Sequence, residues 1–181
     1  MSDEQIVQLI TTSGDPSYFE EIYERYARRV YQKCLSFTKE EDEAKDLAHD
    51  LFVKIYLNLK KFNEKSKFST WLCAITYNYC VDFQAKRKKQ RTLTEELIKE
   101  KEIADGEGLE DELLLELNLK TLNELLEKIT PAEKALLLMK YQDDMSVKEI
   151  AVMLGAGVSA VKMKLKRSKE KLKNLYNDYE G

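Results

Sequence analysis

Proline occurs at only two positions in this 181-residue chain, and each stands where a helix can begin. Asp15-Pro16 and Thr130-Pro131 place a capping side chain ahead of a ring whose fixed φ suits the first helical position. With two prolines and six glycines, and with Leu, Lys and Glu prominent, little in the sequence interrupts a helix once started. No alternating apolar pattern of useful length signals a strand, and there is no internal repeat. The chain reads as all-α.

Hydroxyl-x-x-Glu signatures mark further starts at Thr38-Lys39-Glu40-Glu41, Thr130-Pro131-Ala132-Glu133 and Ser146-Val147-Lys148-Glu149. Together with apolar spacing they predict helices over about 3–12, 16–37, 40–61, 69–87, 112–129, 131–142, 146–154 and 158–176. In the third, Ala44, Leu47, Ala48, Leu51, Ile55 and Leu59 recur every three or four residues and form one inward face, with charge opposite. Gly106 and Gly108 lie in a mostly acidic stretch that reads as a linker, with a short helix at Thr94–Ile103. The expected organisation is two small helical domains, 1–90 and 112–181, joined by an acidic linker at 91–111.

The net charge of −3 does not suggest a nucleic-acid binder, but the average hides segregation. Residues 86–91 (KRKKQR) carry five positive charges and no negative one. Residues 162–173 carry seven positive and one negative, whereas residues 92–133 carry thirteen acids against four bases. Two basic segments therefore flank an acidic middle. No purely apolar run is longer than five residues, as at Ala135–Met139, far short of the ~20 residues of a membrane span. The N-terminus does not have the pattern of a signal peptide, so a cytoplasmic protein without membrane insertion is expected. Cys34, Cys73 and Cys80 show no CxxC spacing. Seven helical residues separate the last two Cα atoms by ~10.5 Å, too far for a disulfide, and the three are read as buried and inert.

Ser146–Leu172 has the form of a helix-turn-helix. Ile150, Ala151 and Leu154 supply one inner face and Val161, Leu165 and Leu172 the next, and Gly155-Ala156-Gly157 forms the turn. The second helix then presents Lys162, Lys164, Lys166, Arg167 and Lys169, which suits a major groove. Upstream, Phe68–Lys89 mixes Trp71, Tyr77, Tyr79 and Phe83 with Ser69, Thr70 and Asn78 and ends in bases. Aromatics beside positive charge suit unstacked nucleotides. Trp71, Ile75 and Tyr79 at four-residue spacing read as core, which leaves Asn78 as the candidate base contact. The loop 61–67, with Lys61, Asn63 and Lys65, is placed to wall a pocket.

These segments resemble the extracytoplasmic-function (ECF) sigma factors of bacterial RNA polymerase. FSTWLCAITYNYCVDFQAKRKK (68–89) is similar to that family's FxTWLxxIAxNxxxDxxRxxxR pattern through Phe68, Thr70, Trp71, Leu72, Ile75, Asn78 and Asp82. DLAHDLFVKIYLNLKKF (46–62) resembles its polymerase-binding helix, and SVKEIAVMLGAGVSAVKMKLKRSKEKL (146–172) its fourth region. His49 and Asp50 stand where Gln and Glu are usual. Gly157, Ala160, Met163 and Lys164 replace Ser, Thr, Ser and Arg, which leaves the promoter sequence open.

The resemblance implies that Asp46, His49, Asp50 and Phe52 dock on core RNA polymerase. It implies minus-ten contacts from Lys61, Asn63, Lys65, Ser69, Asn78, Lys86 and Arg87, around a base flipped out of promoter DNA. Minus-thirty-five contacts fall to Ser159, Lys162, Met163, Lys164, Lys166 and Arg167. The acidic linker would thread the polymerase cleft, and an anti-sigma factor would hold the protein inactive. No enzyme activity, small-molecule substrate, cofactor or metal is expected. His49-Asp50 matches the HD pair of metal phosphohydrolases, but such sites need several histidines and the chain has one. A regulator that binds DNA without polymerase would need neither the 46–62 helix nor the FSTWL segment, and a helical adaptor that binds only protein would not bind melted promoter DNA.

Overall fold

The computed structural model describes residues 1–92 and 119–180, with side chains for 1–89 and 120–178. The chain divides into two compact units, Met1–Gln90 and Arg91–Gly181. The short helix expected at Thr94–Ile103 and nearly all of the acidic linker lie outside the described residues.

The first unit holds α1 (Asp3–Ser13), α2 (Ser17–Thr38), α3 (Glu41–Asn58, continued by a 3-10 turn, Leu59–Lys61) and α4 (Phe68–Thr92). Asp15 and Pro16 start α2 as expected: Pro16 is already helical, and the Asp15 carboxylate accepts from the Ser17 N–H at 2.9 Å. Ser2-Asp3-Glu4-Gln5 also forms a full capping box, on α1.

The box expected at Thr38 does not form. Thr38 is the last residue of α2, and its hydroxyl donates to the Cys34 and Glu40 carbonyls at 3.2 Å each. Lys39 closes α2 at φ 69°, donating its N–H to the Leu35 carbonyl, and α3 starts at Glu41 with Glu40 before it as an N-cap that makes no side-chain hydrogen bond. Glu41, Asp42 and Glu43 supply negative charge to that first turn instead, where the helix dipole favours it.

Helix α4 also runs past its expected end at 87, carrying the basic cluster to Thr92 in helical form. No breaker interrupts it, and cations suit the C-terminal end of a helix.

Aromatic pairs set the packing. Phe19 meets Phe52 and Tyr56, and Tyr23 meets Phe52, so α3 folds back along α2. Tyr26 meets Phe68, and Phe37 meets Tyr77, so α4 runs alongside α2 in the same direction. Lys54 over the Tyr79 ring and Arg87 on Glu43 tie α4 to α3 in the opposite sense. The expected inner face of α3, from Ala44 to Leu59, is buried throughout.

On α4 the inward stripe is displaced from the expected one. Phe68, Leu72, Thr76 and Cys80, with Cys73 and Tyr77, are buried, whereas Trp71, Ile75 and Tyr79 are only half-buried. Both series have four-residue spacing, and the arrangement of α2 and α3 decides which one faces in. All three cysteines are free and buried.

The second unit holds α5 (Leu119–Leu126), α6 (Pro131–Leu137, followed by one π-helical turn, Leu138–Gln142), α7 (Val147–Leu154) and α8 (Val158–Glu180). The capping boxes Thr130–Glu133 and Ser146–Glu149 both form. Leu125, Leu136, Met139, Ile150, Val161, Leu165 and Leu172 make the core. The Lys134 ammonium is buried and pairs with Glu127 at 2.6 Å.

Glu133 does two tasks. Its carboxylate caps α6 and also receives Lys171 of α8 at 3.1 Å. Burial alone would raise its pKa, but the Thr130 N–H and Lys171 together hold it below the ordinary 4.5.

Candidate functional site

Three exposed surfaces carry the residues singled out in the sequence. The first is the outer side of α3. Asp46, His49 and Asp50 are all exposed there. Phe52 is not: it is 5% exposed and packs edge-on to Phe19 at 6.3 Å and on Tyr23 at 4.7 Å. The Phe52 ring, expected on the docking face, is instead turned toward α2. At 100° per residue Phe52 falls at the edge of the inward arc, while Val53 falls opposite Ala44.

Val53, Tyr56, Leu57 and, across the surface on α2, Tyr23 are exposed apolar groups here, with Leu57 72% exposed. Asp46, Asp50, Val53 and Leu57 follow one another at spacings of four, three and four, which places them on one stripe. That phase relation was the available signal for Val53 and Leu57. His49 lies beside the stripe, and no group of three or more His, Cys, Asp or Glu arranged for a metal occurs among the described residues.

The second surface is the loop 62–67 with the outer flank of α4. Lys61, Asn63 and Lys65 are exposed. The Asn63 side-chain oxygen accepts from the Lys65 N–H at 3.3 Å, and Glu64 turns the chain at φ 56°. Phe62 anchors the loop against Phe68 at 5.5 Å and Trp71 at 5.6 Å.

Asn78 is exposed and shares its flank with half-buried Trp71 and Ile75 and exposed Asp82. Ser69 does not share it. Nine residues are two and a half helical turns, which puts Ser69 on the opposite side of α4, half-buried beside the loop. Lys86 is exposed, but Arg87 is drawn to Glu43 at 2.6 Å. The structure thus places Asn78 on the same flank as Trp71, about two turns further along, leaves Ser69 on the opposite side next to the loop, and commits Arg87 to an ion pair with α3.

The third surface is α8, reached through the turn after α7. Gly155 takes φ 58° and donates its N–H to the α7 carbonyls. Nothing lies within 4 Å of where its Cβ would be, so glycine is needed there for its conformation and not for space. The expected inner residues Ile150, Ala151, Val161, Leu165 and Leu172 are buried, but Leu154 is 38% exposed at the end of α7.

Ser159, Lys162, Met163, Lys164, Lys166 and Arg167 are all exposed. On the helical wheel Ser159, Met163, Lys166 and Arg167 occupy the centre of the outward face, and Lys162 and Lys164 flank it. Lys166 lies 3.6 Å from Glu170, one turn on. Met163, 55% exposed, is an apolar side chain set among cations.

Residues 22–92 match the family described as Sigma-70 region 2, and residues 119–172 match Sigma-70, region 4. The chain is 31% identical over 173 residues to the ECF RNA polymerase sigma factor SigW of Bacillus subtilis (strain 168), covering 91% of this chain and 92% of that one. This chain belongs to the ECF sigma factors of RNA polymerase. A second relative, the ECF sigma factor SigM of the same organism, is 26% identical over 162 residues, 87% of this chain and 94% of the relative.

The fold agrees. A structure of CnrH in complex with the cytosolic domain of CnrY superposes with a TM-score of 0.63 at 22% identity, over 97% of this chain and 94% of that one. The sigma factor RpoE from Bartonella quintana, in complex with the anti-sigma factor NepR, gives 0.62 at 16% identity, over 88% and 96%. As an ECF sigma factor, the protein directs promoter-specific transcription initiation by RNA polymerase.

Proposed function

We propose that each of the three exposed surfaces performs one step of initiation. The outer stripe of α3, with Asp46, His49, Asp50, Val53 and Leu57, docks on core RNA polymerase. Its mix of carboxylates around apolar side chains fits an interface whose centre is apolar and whose rim is charged.

The loop 61–67 and the Trp71–Asn78 flank of α4 hold a base flipped from the melted minus-ten element. Holding that base out of the stack, at a cost of a few kcal/mol, traps the open strand. Lys61, Lys65 and Lys86 attract its phosphates. Ser69 contributes from the loop side, and Arg87 contributes by fixing α4 against Glu43.

In the second domain, α8 enters the major groove of the minus-thirty-five element. Lys162, Lys164 and Lys166 contact phosphates. Ser159, Met163 and Arg167 face base edges, with Arg167 suited to a bidentate guanine contact and Met163 to the thymine methyl, the apolar group that the groove presents. The acidic segment between the domains occupies the nucleic-acid channel of the polymerase, where negative charge substitutes for nucleic acid.

The observation that supports this division most directly is the burial pattern. On α3, α4 and α8 the apolar stripe faces in, and the residues matching the family motifs at Asp46, Asn78 and Arg167 face out. The protein acts without catalysis of its own, in the cytoplasm, and an anti-sigma factor restrains it, a reading supported by the complex of the similar sigma factor RpoE with the anti-sigma factor NepR.

Transcription in vitro with core polymerase over fragmented genomic DNA, with start sites mapped, is the test. One shared pair of upstream elements at the start sites is the expected result. Failure to co-elute with core polymerase, or start sites without a shared motif, would refute the reading.

A further inference from the structure

Helix α4 begins without a cap of its own. The preferred residue before a helix offers a side-chain acceptor, but Lys67 has none, and its ammonium stands at the positive end of the helix dipole. The Lys67 carbonyl accepts from the N–H groups of Thr70 and Trp71 and from the Ser66 hydroxyl, which leaves the Phe68 N–H to another partner. The missing acceptor comes from another helix. Glu4, in the first turn of α1, receives the Phe68 N–H at 3.1 Å. Its carboxyl is held below the ordinary value, chiefly by that bond.

Asp3, the residue before it, serves α2. It pairs with Arg25 at 2.6 Å and accepts from the Tyr26 hydroxyl. Arg25 also donates to the Met1 carbonyl at 2.9 Å, and the Tyr26 ring stands edge-on to Phe68 at 5.9 Å. Two successive carboxylates therefore fasten the start of α1 to two helices, and both lines converge on Phe68. The Phe68 ring is fully buried and carries Phe62 and Trp71, the two anchors of the 62–67 loop.

We propose that Glu4 is a positioning residue for capture of the melted strand, capping α4 from outside and so fixing where the loop and Trp71 stand against an unstacked base. The proposal rests on the assignment of that loop to the minus-ten element. Helix α1 lies outside the matched region, which begins at residue 22. Ile6, Val7 and Ile10 are buried and keep α1 docked whether or not residue 4 carries a carboxylate.

The experiment uses the full chain bound to core polymerase, as wild type, Glu4→Ala and Glu4→Gln. The probe is a single-stranded oligonucleotide of the nontemplate minus-ten sequence taken from the mapped start sites, compared with the same sequence as duplex. Glu4→Ala should bind the single strand about five-fold more weakly, the size of a lost cap. Polymerase affinity should be unchanged, and hydrogen exchange at the Phe68 amide should be faster. Glu4→Gln, whose amide oxygen still accepts, should restore most of the binding. Strand affinity equal to wild type in Glu4→Ala, or an equal loss of strand and polymerase affinity, overturns the role of Glu4. A wild type that binds single strand no better than duplex overturns the loop assignment and the role of Glu4 with it.

Discussion

Leu57 and Phe52 lie on the same helix, five residues apart, and should fail in opposite ways. Leu57 is 72% exposed in the free protein. Taking a whole leucine side chain out of water is worth ~1.5–3 kcal/mol. If docking covers the exposed seven-tenths, Leu57→Ala loses about 1–2 kcal/mol of binding, or roughly 5–30-fold in Kd for core polymerase. Stability of the free chain should hardly change, because the side chain has little packing to lose. Phe52 is 5% exposed between Phe19 and Tyr23. Phe52→Ala leaves a cavity and should cost about 3–5 kcal/mol of folding stability, while the fraction still folded binds nearly as well as wild type. Fluorescence anisotropy of a labelled chain titrated with core polymerase, beside urea denaturation of the same samples, reads both quantities. If Leu57→Ala binds like wild type while Phe52→Ala loses affinity and keeps its stability, the docking face has been placed on the wrong side of α3.

Asn78→Ala should impair open-complex formation more than closed-complex formation; permanganate footprints at the minus-ten element matching wild type would remove Asn78 from the base pocket. Arg167→Ala should cost about 1–3 kcal/mol on a cognate promoter, and an equal loss on random DNA would reduce it to a phosphate contact. Replacing thymine by uracil across the minus-thirty-five element removes only methyl groups, so it should weaken wild type but not Met163→Ala; equal sensitivity of the two proteins would exclude methyl readout. Glu133 has a lowered pKa in the folded state, so its contribution is complete above about 4.5 and is lost as pH falls through the lower folded value. Urea denaturation between pH 7 and pH 3 should show a smaller acid loss for Glu133→Gln than for wild type, from a lower starting stability, and parallel curves would contradict this.

The fold was legible because its signals are local. Apolar residues every three or four positions, two N-terminal prolines and the boxes at Thr130 and Ser146 all act within one or two helical turns. The misreadings arose where tertiary contacts chose between equal local options. Thr38 had the sequence of a cap, but Lys39 could close α2 by adopting a left-handed conformation, and that placed Thr38 inside the preceding helix. On α4 two stripes share one spacing, and the packing of α2, through Tyr26, Lys33 and Phe37, together with α3 selects the one containing Phe68 and Tyr77.

The site was legible in a different way. Motif resemblance singled out Asn78 and Arg167 as candidates, and both are exposed, but placing Phe52 and Ser69 required knowing which way each helix is turned. A hydrophobe out of phase with the buried stripe of its own helix costs hydration in the free protein and gains nothing from the core. Val53, Leu57 and Met163 are such residues, and phase alone identifies them once the buried stripe is known. Glu4 carries no comparable mark. Its significance arises from a backbone N–H sixty-four residues away, and nothing within a turn of Glu4 in the sequence distinguishes it from any other acid in the first turn of a helix. Periodicity can therefore reveal surfaces made within one helix, while a cap supplied by one helix to another becomes visible only when the two are seen together.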